Sequence, residues 1–146
     1  MAGPESGIGF ADIEGKLQEL GRTLAEDGVR LACLFGSILE QPLARDVDVA
    51  VWFTEYSFDR YLHTLEVTSQ ALGTGRVHVV VLNRASAPLR LRALLEGRLL
   101  FAERPEALIQ AIVDTLFEYE DHRQFMAQYR PLLDRRCQEG LSVAER

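Results

Sequence analysis

The chain has 146 residues, of which 47% are apolar and 26% are charged, and these values are ordinary for one globular domain. The formal net charge of −6, without a dense cluster of lysine or arginine, argues against duplex nucleic acid as a direct ligand. No apolar run is long enough to cross a bilayer and the N-terminus shows no secretory pattern, so we expect a cytoplasmic protein without a membrane partner.

The first quarter of the chain predicts a helix and a strand. Residues 1–9 are rich in Gly, Pro and Ser, and we expect them to be disordered. Apolar residues then recur at helical spacing from Phe10 to about Asp27, and Gly28 ends this helix. Val29–Phe35 (VRLACLF) is short, apolar and compatible with β-structure, which predicts the first strand.

A turn and a second strand follow. Gly36-Ser37 stands where the chain must turn, and Ile38–Leu43 has room for one helical turn that stops near Pro42. Asp46–Phe53 (DVDVAVWF) has the pattern of the second strand. These two strands therefore enclose a short loop that begins with glycine and serine.

The next segment predicts a helix and a third strand. Ser57 is an N-cap residue type, and the amphipathic helix that it opens ends at Gly73 and Gly75. Arg76–Leu82 (RVHVVVL) is dense in β-branched residues, which favour a strand.

The C-terminal part is mostly helical. Ser86 opens a helix that ends at Gly97, and Arg98–Phe101 is a candidate for one more short strand. Pro105 opens the last and longest helix, and Pro131 should kink or break it.

This order of elements predicts an α/β (α+β) fold, with a mixed β-sheet of three to four strands flanked by helices. We expect residues 1–146 to form a single domain, with residues 105–136 as a long C-terminal helical segment.

Two aspartates at the start of the second predicted strand form the first candidate site. Asp46 and Asp48 are two residues apart, so their side chains leave the same face of a strand. Two carboxylates on one face repel each other unless a cation or a proton lies between them. Their oxygen atoms suit Mg²⁺, which keeps several waters and shares phosphate oxygens with its substrate.

The second candidate is the Gly36-Ser37 pair at the end of the first predicted strand. Glycine lets the backbone approach a ligand closely, and N–H groups at the start of a helical turn offer donors to phosphate oxygens. Phosphate donors and a metal-binding pair on adjacent strands form a credible site for phosphoryl or nucleotidyl transfer. The combination is far more specific than either half.

The stretch LFGSILEQPLARDVDVAVWF resembles the GS…DxD signature of the DNA polymerase β-like nucleotidyltransferase superfamily. Within it, the chain is similar to the minimal nucleotidyltransferases, or MNT domains, and residues 79–125 are similar in pattern to the family's later elements. The resemblance implies the polymerase β-like nucleotidyltransferase fold. It also implies that Gly36 and Ser37 contact a nucleoside triphosphate, while Asp46 and Asp48 bind Mg²⁺.

The same resemblance implies a partner and a reaction. Many members act as antitoxins of HEPN-domain proteins in toxin–antitoxin systems, some by transferring AMP from ATP onto a tyrosine of the toxin. We therefore expect a HEPN-domain partner and an AMP transfer to a protein hydroxyl. The oligomeric state is left open, with a homo-oligomer among the options.

Three departures from the family pattern bear on catalysis. His78 stands where the family places a third aspartate, the loop between Ser37 and Asp46 is slightly shorter, and Glu40-Gln41 replaces a common Arg-Gly. A neutral imidazole cannot supply the missing negative charge, although it can act as a base near neutral pH. Two alternatives stay open: catalysis with His78 in the site, or an inactive binding module that neutralises its partner by complex formation.

Other residues are weaker candidates for a functional role. Trp52 is either core or the border of a nucleotide, and His63 is expected at the surface of a helix. His122 and the arginines of the last predicted helix form a solvated face or meet an acidic partner. Cys33 and Cys137 lie outside any metal-binding spacing. The arginines of the last predicted helix are Arg123, Arg130, Arg135 and Arg136.

A third alternative function is antibiotic modification, which usually needs an additional substrate domain.

Overall fold

The computed structural model describes residues 7–118 and 122–144. The helices are α1 Phe10–Glu14, α2 Leu17–Glu26, α3 Ser37–Glu40, α4 Phe58–Leu72, α5 Ala87–Glu96, α6 Pro105–Phe117 and α7 His122–Ala144. The strands are β1 Val29–Phe35, β2 Val47–Phe53, β3 Val77–Val81 and β4 Arg98–Ala102. No helix within the described ranges combines the length and the apolar character that a membrane span requires.

The four strands form one sheet in the order β3-β2-β1-β4. β1 pairs antiparallel with both β2 and β4, whereas β2 and β3 run parallel, with α4 as the crossover between them. The predicted mixed sheet of three to four strands is thus confirmed, and the segment Arg98–Phe101 is indeed a strand. β1 lies in the centre because its residues are apolar on both faces, as a covered central strand requires.

The sheet is covered by helices on both faces, so alternate residues of one strand enter two different cores. Ala32 and Leu34 of β1 pack in the core that includes residues of α1, α2 and α4. Leu31, Cys33 and Phe35 pack in the other core, with residues of α5, α6 and α7. This alternation follows from the period of two along a strand.

The first predicted helix is wrong in one detail, because two helices occupy its span. α1 ends at Gly15 and α2 begins after Lys16, so the apolar stripe continues while the helix does not. Glycine in a helix interior costs about 0.8–1.0 kcal/mol relative to alanine, which favours an interruption there. Gly28 adopts φ +73° after α2, as the predicted stop requires.

We predicted that Pro131 kinks or breaks the last helix, and of these two alternatives the break does not occur. α7 continues through Pro131, and the helix that begins at Pro105, α6, ends at Phe117. A proline inside a helix removes one hydrogen bond but need not end the helix when packing holds both halves. The end of α6 is held by Arg90, whose Nη1 lies 2.7 Å from Glu118 Oε2.

We predicted that residues 1–9 are disordered, and the structure describes only residues 7–9 of this segment. Residues 1–6 lie outside the described residues. Ile8, in contrast, forms an antiparallel bridge with Ala44, through hydrogen bonds of 2.7 and 2.8 Å between their backbone groups. The expected disorder therefore does not extend to Ile8, which clamps the loop that leads into β2.

Candidate functional site

One end of the β1–β2 ladder, which we call the site end, is marked by the pair Phe35 and Asp48. The opposite end, which we call the far end, is marked by the pair Val29 and Phe53. Because β1 and β2 are antiparallel, the loop after β1 and the start of β2 meet at the site end. The two halves of the predicted motif therefore come together there.

Gly36 leaves β1 in a conformation that only glycine adopts readily, with φ +84° and ψ −153°. A Cβ atom at this position would lie 2.5 Å from Asp48 Oδ2, which is far inside contact distance. Glycine is thus required for two reasons, the backbone conformation and the carboxylate that lies against it. Ser37 follows as the first residue of α3 and is half-buried.

The two aspartates lie on the same face of β2, as their spacing predicted. Asp48 lies inside β2, and Asp46 is the residue directly before the strand begins. Both aspartates alternate with the fully buried Val47 and Val49. The carboxylates face the side of the sheet that carries α5, because the alternate valines enter the opposite core.

The surroundings of Asp48 disfavour its charged form. Partial burial raises the pKa of Asp48 above its ordinary value, and repulsion from Asp46 acts in the same direction. The neighbouring His78 and, more weakly, Arg92 oppose this shift. A dication bound here would offset both the cost of burying the carboxylate and its repulsion from Asp46.

His78 is the direct neighbour of Asp48 on the parallel strand β3. Its side chain is 65% exposed, and its Nδ1 lies 3.4 Å from Asp48 Oδ1. Val77 and Val79 are buried on the other face, so His78 shares the side of the aspartates, as the alternation predicted.

Arg92 is a charged neighbour that the sequence did not reveal. It belongs to α5, and its Nη2 lies 3.6 Å from Glu40 Oε1 in α3, directly after the glycine–serine turn. Arg92 comes near the site because α5 ends against β1, where a Cβ at Gly97 would lie 2.7 Å from the carbonyl oxygen of Leu34. This tertiary contact leaves no local signal in the sequence.

The donor set fits a shared dication better than a closed protein cage. Among the described residues, no group of three or more His, Cys, Asp or Glu side chains is arranged to hold a metal ion. Mg²⁺, however, is commonly held by one or two carboxylates together with substrate phosphates and waters. Asp46 and Asp48 fit that role, whereas they do not suffice for a structural metal site.

The other predicted candidates lie elsewhere or are inert. Trp52 shares the face of Asp48 but stands four residues further along β2, roughly 13 Å away at strand spacing, so it does not border the site. Its ring instead meets the guanidinium groups of Arg30 and Arg90, 5.6 and 5.1 Å from the ring centroid. Burial raises the pKa of the Cys33 thiol to about 12, which excludes a nucleophilic thiolate.

His63 forms a second carboxylate–histidine pair at the far end. Its Nε2 lies 3.2 Å from Asp27 Oδ1, and its side chain is exposed at the surface of α4, as predicted. The pair borders a cavity of about 330 Å³ that also contacts Glu26, Gly28, Asp59 and Arg60.

The C-terminal arginines do not form one solvated face. The side chains of His122 and Arg123 lie outside the described residues, and Arg130 and Arg135 are exposed. Arg136, in contrast, is only 3% exposed and pairs with Glu139. Of the two predicted alternatives, a solvated face or contact with an acidic partner, the solvated face does not describe Arg136.

Comparisons with known proteins agree with this geometry. The family described as "Polymerase beta, Nucleotidyltransferase" matches residues 18–106, which is more than half of the chain and includes the whole site end. No curated protein sequence matches the chain.

Several solved structures share the fold. A tri-AMPylated Shewanella oneidensis HEPN toxin in complex with MNT antitoxin matches with a TM-score of 0.59 at 20% identity, over 83% of this chain and 95% of that chain. A toxin–antitoxin structure with AMP-PNP matches with a TM-score of 0.58 at 23% identity, over the same shares. The MntA–HepT toxin–antitoxin structure gives 0.59 at 19% identity, over 83% and 96%.

Proposed function

This chain belongs to the polymerase beta nucleotidyltransferase family, and on that premise we propose that it transfers a nucleoside monophosphate from a triphosphate to a protein hydroxyl. The single observation that carries the proposal is the meeting of Gly36 with Asp48 at the site end. A glycine turn and a carboxylate pair on adjacent strands are what a triphosphate with its dication needs.

The structural relatives support a specific donor and a specific acceptor. One related complex holds AMP-PNP, and in another the HEPN toxin is tri-AMPylated. We therefore propose ATP as the donor and a hydroxyl of a HEPN-domain protein as the acceptor, which would make this chain an antitoxin.

We assign a role to each residue of the site from its position. Gly36 and Ser37 would hold the triphosphate, since they start the turn that faces Asp48. Asp46 and Asp48 would hold Mg²⁺, which supplies charge neutralisation to the phosphate oxygens when bound. The acceptor oxygen would form a bond to the α-phosphorus, the bond to the bridging oxygen would break, pyrophosphate would leave, and the hydroxyl proton would pass to solvent.

The test uses two aspartates as a matched pair. Purified chain is mixed with α-labelled ATP, Mg²⁺ and a HEPN-domain protein as the candidate acceptor, and label on that protein is counted. Asp48→Asn should lower the transfer rate by about 100-fold or more, as is typical when a preorganised electrostatic contact is lost. Asp27→Asn, at the far end, should leave the rate unchanged. Equal rates in wild type and Asp48→Asn would contradict the proposal.

A second function deserves a test because one observation favours it. His78 stands where a third carboxylate is expected, and the described residues contain no three-ligand metal group. A binding module that neutralises its partner by complex formation alone would have such a site. In that case the double variant Asp46→Asn/Asp48→Asn would still protect cells from the partner, and calorimetry would detect no AMP-PNP binding by the wild type.

A further inference from the structure

Arg92 places an exposed guanidinium at the site end. It belongs to α5, which packs on the face of the sheet from which Asp46 and Asp48 project. Its side chain is 52% exposed, whereas the neighbouring Leu91 and Ala93 are fully buried. Packing therefore fixes the helix at this point and leaves the guanidinium of Arg92 accessible from solvent.

The fold makes little use of the hydrogen-bond donors of Arg92. Within the described part of the chain its ion pairs are loose, with Nη2 3.6 Å from Glu40 Oε1 and Nε 4.0 Å from Glu96 Oε2. Both distances exceed the length of a good hydrogen bond, and exposed ion pairs of this kind contribute little to stability. The donors are thus available to a stronger partner.

Arg90, two residues earlier on the same helix, shows the contrasting case. Its side chain is only 12% exposed, Nε donates to the carbonyl oxygen of Leu82 at 2.8 Å, and Nη1 lies 2.7 Å from Glu118 Oε2. One arginine of α5 therefore holds the fold together, while the donors of the other face the site end.

The proposed substrate calls for positive charge at this place. A triphosphate stays negatively charged when it shares one dication, and Asp46 and Asp48 add two carboxylates beside it. The turn that would hold the phosphates, residues 36–42 (GSILEQP), contains no lysine or arginine. A guanidinium from another element would supply the charge that this turn lacks.

Arg92 is placed to supply it. Its partner Glu40 is the last residue of α3, which begins at Ser37, and its charge also acts on Asp48, where it lowers the pKa against the effect of burial. A planar guanidinium donates two parallel hydrogen bonds to a phosphate, and these are stronger than a loose pair with one carboxylate. Phosphate oxygens can therefore replace Glu40 as the partner.

We propose that Arg92 binds phosphate oxygens of the triphosphate, and that Glu40 holds this guanidinium beside the turn until the phosphates replace it. The inference rests on the proposed function only in placing a triphosphate at Gly36 and Ser37. It gives Arg92 a role in phosphate binding and makes Glu40 a competitor of the substrate.

The test measures binding by calorimetry, with the full-length chain, Mg²⁺, and either AMP-PNP or inorganic tripolyphosphate as the probe. Arg92→Gln should weaken the binding of both probes by about tenfold or more, as expected when a hydrogen bond to a charged group is lost. Arg92→Lys keeps the charge without the planar fork and should give an intermediate loss. Glu40→Gln should tighten binding by about two- to fivefold, because it removes one exposed competing ion pair.

The opposite signs separate this role from a structural one. Arg92→Gln and Glu40→Gln break the same ion pair, so a purely structural pair would shift binding in the same direction in both variants. Weaker binding by Glu40→Gln would therefore overturn the inference, as would wild-type affinity in Arg92→Gln.

The matched control is Arg22→Gln. Arg22 is 68% exposed and makes a similar loose pair, 3.7 Å from Glu19, but it belongs to α2 on the opposite face of the sheet. This variant should bind both probes within experimental error of the wild type. An equal loss in Arg22→Gln and Arg92→Gln would reduce the effect to general surface charge and overturn the inference.

Transfer of AMP to a HEPN-domain protein, assayed in parallel, separates the inference from the proposed function. If AMP-PNP binding depends on Arg92 but no transfer occurs, the inference stands and the proposed function fails. If transfer occurs while Arg92→Gln binds AMP-PNP as tightly as the wild type, the proposed function stands and the inference fails. A wild type that binds neither probe would overturn both.

Discussion

The two ends of β1 carry nearly the same groups and differ in their surroundings. At the site end, Gly36 with φ +84° stands beside the Asp48–His78 pair. At the far end, Gly28 with φ +73° stands beside Asp27, which pairs with His63. Each end thus combines a left-handed glycine with a carboxylate and an imidazole.

The difference lies in what each glycine allows to come close. An added Cβ at Gly36 would meet the Asp48 carboxylate, whereas an added Cβ at Gly28 would meet the guanidinium of Arg60. Asp48 keeps a raised pKa despite the opposing charges of His78 and Arg92, whereas the guanidinium of Arg60 lies beside the backbone of Asp27 at the far end. The comparison teaches that a carboxylate–histidine pair indicates a metal or nucleotide site only where its neighbours leave the carboxylate uncompensated.

Alanine at the two glycines should separate these ends most strongly. Gly36→Ala places a Cβ 2.5 Å from Asp48 Oδ2 in a backbone region that is essentially restricted to glycine, so the carboxylate must move. Because a displacement of about 1 Å can cost roughly 100-fold in rate, we expect AMP transfer to fall by about that factor or more. The measurement is label transfer from ATP.

Gly28→Ala is the matched control. Its added Cβ meets the mobile end of Arg60, and the left-handed conformation costs roughly 1–2 kcal/mol of stability. Transfer should persist at the wild-type rate once both variants are shown to be folded by circular dichroism. If Gly28→Ala loses as much activity as Gly36→Ala, the two ends are not functionally different.

The site end could be predicted from the sequence because its signals are local. Asp46 and Asp48 interrupt an apolar strand at a spacing of two, which fixes the face that they share. Gly36 directly follows an apolar strand, where a close backbone approach was expected. His78 was located by the same alternation on the third strand.

The rest of the site depends on tertiary contacts that no periodicity encodes. Arg92 approaches Asp48 only because α5 packs against the end of β1. The far-end pair required Asp27 and a residue of α4 to meet across 36 residues of chain, although each alone was an ordinary surface residue. The continuation of α7 through Pro131 likewise depends on packing that overrides the local preference.

A second prediction concerns stability at the far end. Asn83 accepts a hydrogen bond from Phe53 N–H at 2.8 Å and donates one to the Phe53 carbonyl at 2.9 Å, which closes the end of β2. Asn83→Ala leaves two partly buried backbone groups without these partners and should lower the free energy of unfolding by about 1–3 kcal/mol. Urea unfolding measures the loss, and the rate of AMP transfer should stay unchanged below the transition.

The matched control for this variant is Gln110→Ala. Gln110 donates to Asp114 on the exposed surface of α6, so its loss should change the free energy of unfolding by less than about 0.5 kcal/mol. A transfer rate that falls with Asn83→Ala would show that the far end also supports the site, against the division drawn between the two ends.

The smallest expected effect is a dependence of stability on pH at the site end. Burial, reinforced by Asp46, raises the folded-state pKa of Asp48 above 3.8. The stability linked to this group is therefore fully present below about pH 3.8 and is lost as pH rises through the folded-state value. In chelator, Asp48→Asn should be more stable than the wild type at pH 7, with a gain that shrinks towards acid pH.

Asp27→Asn should instead lose about 0–1 kcal/mol, because it alters the contact with the exposed side chain of His63. Adding a dication reverses the order at the site end, since binding to the folded wild type alone contributes about 2.7 kcal/mol at 100 times its dissociation constant. Urea unfolding of both variants with and without the ion measures all these differences. A wild type that is more stable than Asp48→Asn at pH 7 in chelator would mean that Asp48 is compensated within the protein, and the site end would then lack the uncompensated charge that sets it apart.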